Sequence, residues 1–150
     1  MDKAYLVEQL GEKVRNALQQ IHRANAGSQI DARTGASRAI NLARGTGLRE
    51  VQAREALDAL DSFRPKPLKR GEPIGLGAVV EVEDGNIGRT LFVAPVAAGE
   101  ELTGPDGDGI FQVVTPSSPF GKALIGKRVG DDIQVTIQGE TTDWTVTYAG

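Results

Sequence analysis

Two prolines, Pro65 and Pro67, stand two residues apart in the run Arg64-Pro65-Lys66-Pro67-Leu68-Lys69-Arg70-Gly71. No helix can run through them, because each ring fixes φ, removes a main-chain donor and biases the preceding residue toward extended backbone. The apolar pattern changes at the same place, from spacings of three and four before it to an alternation rich in Val, Ile and Thr after it. Charge changes there too. Residues 1–70 hold 13 Lys/Arg against 8 Asp/Glu, a net of +5, whereas residues 71–150 hold 4 against 12, a net of −8. The sequence therefore predicts a first domain over residues 1–64, an extended tether over 65–71 and a second domain over 72–150.

In the first part, Leu6, Val7, Leu10, Val14, Ala17, Leu18 and Ile21 mark one face of an amphipathic helix expected over residues 3–25, roughly 34 Å long at about 1.5 Å per residue. Asn25 to Gln29 reads as a turn. A weaker helical stretch (Ala36 to Arg44), an interruption at Gly45-Thr46-Gly47 and a stronger helix carrying Leu48, Val51, Ala56, Leu57 and Leu60 follow. Neither stripe can be buried alone, so the expected solution is an antiparallel, coiled-coil-like hairpin with the stripes face to face.

The second part reads as an antiparallel sheet. Ala78, Val80 and Val82 alternate with Val79, Glu81 and Glu83, and Asp84-Gly85 leads as a hairpin signal into Arg89 to Ala94. Ile133, Val135 and Ile137 alternate with polar residues, as do Trp144, Val146 and Tyr148 after a turn at Gly139-Glu140. A short covering helix is expected over Ser118 to Gly126. Ser118 suits the N-cap, Pro119 the first helical position and Gly126 the left-handed C-terminal position, with Phe120, Leu124 and Ala123 facing inward. The fold class is α+β.

Several kinds of chemistry are excluded. The chain has no cysteine and one histidine, His22, so disulfides, thiolate metal sites, a cysteine nucleophile and any two-histidine mechanism are absent. No apolar run approaches the roughly 20 residues that span a bilayer, and the first 25 residues lack a signal peptide's core, so a soluble, cytoplasmic protein without membrane contact is expected. Gly104 to Gly109 holds a D-x-D fragment without the later ligands of a calcium loop and reads as a long turn.

Three segments together carry a family resemblance: Ile74-Gly75-Leu76-Gly77-Ala78-Val79-Val80-Glu81-Val82-Glu83-Asp84, then Val114-Thr115-Pro116-Ser117-Ser118-Pro119-Phe120-Gly121-Lys122-Ala123-Leu124-Ile125-Gly126-Lys127, then Arg128-Val129-Gly130-Asp131-Asp132. In order and spacing, residues 72–150 resemble the C-terminal domain of the bacterial Gre (GreA/GreB-type) transcript-cleavage and elongation factors. Phe120 and Ile125 stand where that family's run has leucines. The resemblance implies an FKBP-like second domain that docks at the rim of the secondary channel of bacterial RNA polymerase, with the helical hairpin inserted toward the active site. Lys122, Lys127, Arg128, Asp131 and Asp132, together with Ser118, Pro119 and Phe120, are the implied docking candidates.

In cleavage-active members, acidic residues at the hairpin tip help to hold a second magnesium ion, which orients an attacking water. Here the acidic tip motif is absent. Between Ala24 and Arg38 the only carboxylate is Asp31, accompanied by Arg33 and Arg38. These three are the tip candidates, and Asp31 is the one candidate metal ligand. The expectation is a divergent Gre-like regulator of elongation that is not itself an enzyme, needs no cofactor and does not stimulate transcript cleavage efficiently. Arg23, Arg33, Arg38, Arg44, Arg49 and Arg54 would face nucleic acid or an acidic channel wall. Two other readings stand beside this one: a prolyl isomerase or chaperone module, and a homodimer formed through the hairpin.

Overall fold

The first helix, α1, spans Lys3–Arg33, 31 residues or roughly 46 Å at the ordinary rise. It runs straight through the turn expected at Asn25 to Gln29. Ala24, Ala26 and Ala32 favour helix, and the one weak residue, Gly27, costs only about 1 kcal/mol relative to alanine. The computed structural model describes residues 3–33, 51–104 and 109–150, and of residues 21–33 the backbone alone. A second helix, α2, occupies residues 51–61. The stretch Ala36 to Arg44 and the interruption at Gly45 to Gly47 lie outside the described residues.

Two compact units emerge, Gln9–Ser62 on the one hand, and the residues up to Glu8 with Phe63–Gly150 on the other. In the helical unit Leu10 and Val14 of α1 and Leu60 of α2 are buried, Leu18, Ala56 and Leu57 are half-buried and Ala17 and Val51 are exposed, so the predicted stripes are covered in part; the side chains of Ile21 and Leu48 lie outside the described residues.

The larger unit is a six-stranded sheet. Its strands are β1 (Val79–Glu83), β2 (Gly88–Val93), β3 (Glu101–Thr103), β4 (Ile110–Val114), β5 (Asp132–Ile137) and β6 (Glu140–Ala149), in the order β3-β4-β2-β1-β6-β5. A short helix, α3 (Pro119–Leu124), lies on it. Four of the strands fall where the sequence places them, but in β6 the alternation holds only for Trp144 and Val146: a bulge opposite Glu81 and Val82 turns Tyr148 to the other face, beside Glu81 and exposed. β3 and β4 are not marked in the sequence. They also alter the sheet's character, since β2 and β4 pair in parallel while every other pair is antiparallel. The β5–β6 turn is one residue earlier than expected: Gln138 (φ 52°) and Gly139 (φ 81°) form a two-residue turn of the I′ kind, and Glu140 already belongs to β6.

One face of the sheet carries Val80, Val82, Leu91, Val93, Val114, Ile133, Val135, Trp144 and Val146 beneath Phe120 and Leu124 of α3. The other face also buries Val79, Phe92, Phe111 and Val113, with the Phe63 ring 6.2 Å from that of Phe92. The uninterrupted apolar runs at Ala78 to Val80 and Leu91 to Ala94 are the sequence's trace of this two-sided burial.

Lys3 anchors the start of α1 within this unit. Its Nζ donates to the main-chain oxygens of Lys66 and Gly150, both at 2.8 Å, and burial lowers its pKa below the usual lysine value.

Candidate functional site

The lid helix and the loop that follows it gather most of the predicted docking residues, and local chemistry explains how. Ser118 caps α3, and its hydroxyl is fully used: it donates to the Thr115 oxygen (2.7 Å) and accepts from the amides of Thr115 (3.0 Å) and Gly121 (3.3 Å). Pro119 opens the helix, as expected. Gly126, at φ +84°, ends the lid, and its amide bonds the Ile74 oxygen at 2.9 Å while the Ile74 amide bonds the Lys127 oxygen at 2.7 Å.

The next turn is held from both sides. Asp131 accepts the Arg128 amide at 2.8 Å, the Arg128 guanidinium donates to the Gly71 oxygen at 2.9 Å, and Gly130 and Asp131 bond Val146 of β6. At the start of β5, Asp132 accepts the Thr145 hydroxyl at 2.7 Å.

Pro119, Lys122, Lys127, Arg128, Asp131 and Asp132 are thus exposed on one short stretch, held by main-chain bonds. Ser118 and Phe120 differ. Ser118 is half-buried with its hydroxyl spent inside the lid, and Phe120 is buried edge-on against Trp144, ring centres 5.5 Å apart. Of the tip candidates, Asp31 and Arg33 have helical backbone at the end of α1 rather than a turn, and Arg38 lies outside the described residues.

Arg89, which the sequence did not single out, lies over both rings, its guanidinium carbon 5.4 Å from the Trp144 centroid and 5.8 Å from that of Phe120. Nothing local marks it, because its ring partners are 31 and 55 residues further along. Beside Trp144 runs a cleft of about 800 Å³ lined by Glu83, Asp84, Asp132, Asp143 and Thr145, among others. Four of the twelve carboxylates of the second half line this cleft. Among the described residues no three His, Asp or Glu are placed to share a metal ion, and no helix is long and apolar enough to cross a membrane.

In the β1–β2 turn, Asp84 accepts the amides of Ile87 and Asn86, each at 2.9 Å, and these bonds hold its carboxyl below the usual 3.8. A depressed carboxyl stabilises the fold above its unfolded pKa, and that contribution disappears as pH falls from 3.8 through the folded value. Asp84→Asn is expected to flatten this acid limb in pH-dependent denaturation while changing little at neutral pH. An unchanged acid limb would mean that the turn does not hold the carboxylate.

The family described as "Transcription elongation factor, GreA/GreB, C-term" matches residues 69–149. The chain belongs to this family. Among similar proteins, the transcription inhibitor protein Gfh1 of Thermus aquaticus is 46% identical over 63 residues, covering 41% of this chain and 36% of that one. The transcription elongation factor GreB of Yersinia pestis is 34% identical over 104 residues, covering 65% of this chain and 56% of the other. This chain thus spans about a third of the length of the first relative and just over half of the second. A solved structure of the transcription factor Gfh1 superposes with a TM-score of 0.43 at 25% identity over 97% of this chain and 91% of that one.

These relatives are transcription factors and lend no support to the isomerase or chaperone reading. Of the aromatic rings of the sheet unit, Phe92, Phe111, Phe120 and Trp144 are buried in the core and Tyr148 is exposed.

Proposed function

We propose that this protein regulates transcription elongation by binding bacterial RNA polymerase in the cytoplasm, with the Gre-type unit docking at the rim of the secondary channel and the helical unit directed inward. The observation that carries this reading is the family match over residues 69–149, with its lid helix held in place and its charged neighbours left exposed. Charge supports the division of labour. The net of +5 over residues 1–70 suits a surface facing nucleic acid, and in the net-acidic second half Lys122, Lys127 and Arg128 give the lid a local basic patch for docking. Asp31 is the only carboxylate between Ala24 and Arg38, and one carboxylate flanked by arginines is a poor clamp for a second magnesium ion. The reading is accordingly a regulator that does not promote RNA cleavage.

Capture on purified core polymerase, with competition by a cleavage factor, tests the first half. Binding at micromolar protein that the competitor displaces is expected; no binding at that concentration defeats it. Lys122→Glu combined with Lys127→Glu should weaken capture by about tenfold or more, while each change alters stability by no more than about 0.5 kcal/mol because both side chains are exposed. Full capture by this double variant would move the docking surface elsewhere. On backtracked complexes no RNA trimming above background is expected, and trimming abolished by Asp31→Ala would refute the second half.

A further inference from the structure

The sheet has two ends. One is β3, three residues long; the other is β5, six residues long and paired with β6 in unbroken register from Asp132–Thr145 to Ile137–Glu140. In a two-residue hairpin the residues flanking the turn form a hydrogen-bonded pair and the pairs alternate from there. Ile137, Val135 and Ile133 therefore give their main-chain groups to β6, while Asp132, Gln134 and Thr136 turn theirs outward. Among the described residues, no main-chain bond satisfies those outward groups.

Exposed edges are ordinarily blunted by lysine, proline, a bulge or a covering element. The six residues of β5 include no lysine, arginine or proline, and the sheet's register shift falls between β1 and β6 instead. Lid helix α3 packs against β5 but leaves a groove of about 430 Å³ beside it, lined by Ser117, Pro119, Lys122, Ala123, Gln134 and Thr136. Ile137, at the strand's end, is 43% exposed.

We infer that this edge pairs with β5 of a second copy of the chain. The strand is complementary to itself. A two-fold axis through Gln134 sets Gln134 opposite its counterpart and Asp132 opposite Thr136, so every outward group meets a partner and the one charge never faces its like. Such a contact uses up the edge on both copies and closes at two. It differs from the hairpin-mediated dimer that stands as an alternative reading of the sequence. It also covers Pro119 and Lys122, so the dimer and polymerase docking exclude one another; this consequence rests on the function proposed above.

Sedimentation of the full chain without polymerase, from low micromolar to several hundred micromolar protein, is expected to show a monomer–dimer equilibrium. Amides of Gln134 and Thr136 should gain protection from hydrogen exchange as the dimer fills. Thr136→Lys, an exposed change, and Gln134→Pro, which removes one outward donor, should each raise the dimer dissociation constant by about tenfold or more, with circular dichroism showing Thr136→Lys still folded. A monomer throughout that range, or a dimer indifferent to Thr136→Lys, overturns the pairing. Polymerase capture at high protein concentration should rise with Thr136→Lys. Unchanged capture overturns the exclusion, whereas a dimer that forms while neither protein binds polymerase defeats the proposed function instead.

Discussion

Gly121→Ala is expected to destabilise the sheet unit by about 3 kcal/mol, the upper part of the overpacking range. A Cβ at this position would overlap the main-chain oxygen of Thr115 and come within 3.1 Å of the Ser118 hydroxyl. Neither neighbour can yield cheaply. The Thr115 oxygen is fixed by the Ser118 amide at 3.0 Å and the Ser118 hydroxyl at 2.7 Å, so moving it breaks the cap that starts α3. The alternative is for the lid to lift, which uncovers Phe120 and Leu124. For a unit of this size, about 3 kcal/mol corresponds to a fall in melting temperature of roughly 12–24 °C. A thermal melt followed by circular dichroism would measure it, and a loss below about 1 kcal/mol would show the approach of Gly121 to Thr115 to be soft.

Phe120→Ala should cost about 3–5 kcal/mol, the range for deleting a buried aromatic ring. It removes the edge-on contact with Trp144 and half of the aromatic surface under Arg89. Phe120→Leu, which restores the residue type of the resembled family, keeps most of the volume and should lose less than about 1.5 kcal/mol. The pair separates structure from docking. Denaturant titration should rank the variants in that order, and Phe120→Leu should capture polymerase as well as the parent does. Capture weakened about tenfold at unchanged stability would mean that the ring itself reaches the partner.

The lid was legible because its signals are local: a capping serine, a proline at the first position and a glycine where φ must be positive lie within nine residues. Gly121 is a position to which the sequence assigns no role; the structure supplies it, since the helix passes too close to the Thr115 oxygen for a Cβ. The end of α1 was misread because Asn25, Gly27 and Ser28 are turn formers only in the absence of a helix already propagating through them. β3 is too short to show a period, and β4, Ile-Phe-Gln-Val-Val, has one polar residue in five because both of its faces are largely covered. As for the candidate site, exposed charge around the lid could be read from sequence, but Ser118 and Phe120 were counted with it although the fold spends them inside.

The chain's order of residues alone settled the proline break, the opposed charges of its two halves, the faces of β1 and β5 and the capped lid, since each depends on neighbours within about ten positions, whereas the bulge that turns Tyr148 of β6 away from the core arises from pairing with β1. Tertiary structure decided which strand lies beside which, that β2 and β4 run parallel, that Lys3 reaches the oxygens of Lys66 and Gly150, that Arg89 lies on Phe120 and Trp144, and that β5 keeps an open edge. The reason is physical. Periodicity and capping are properties of a short segment, whereas strand order and the burial of a particular cation are set by loop closure and packing between segments far apart in the chain.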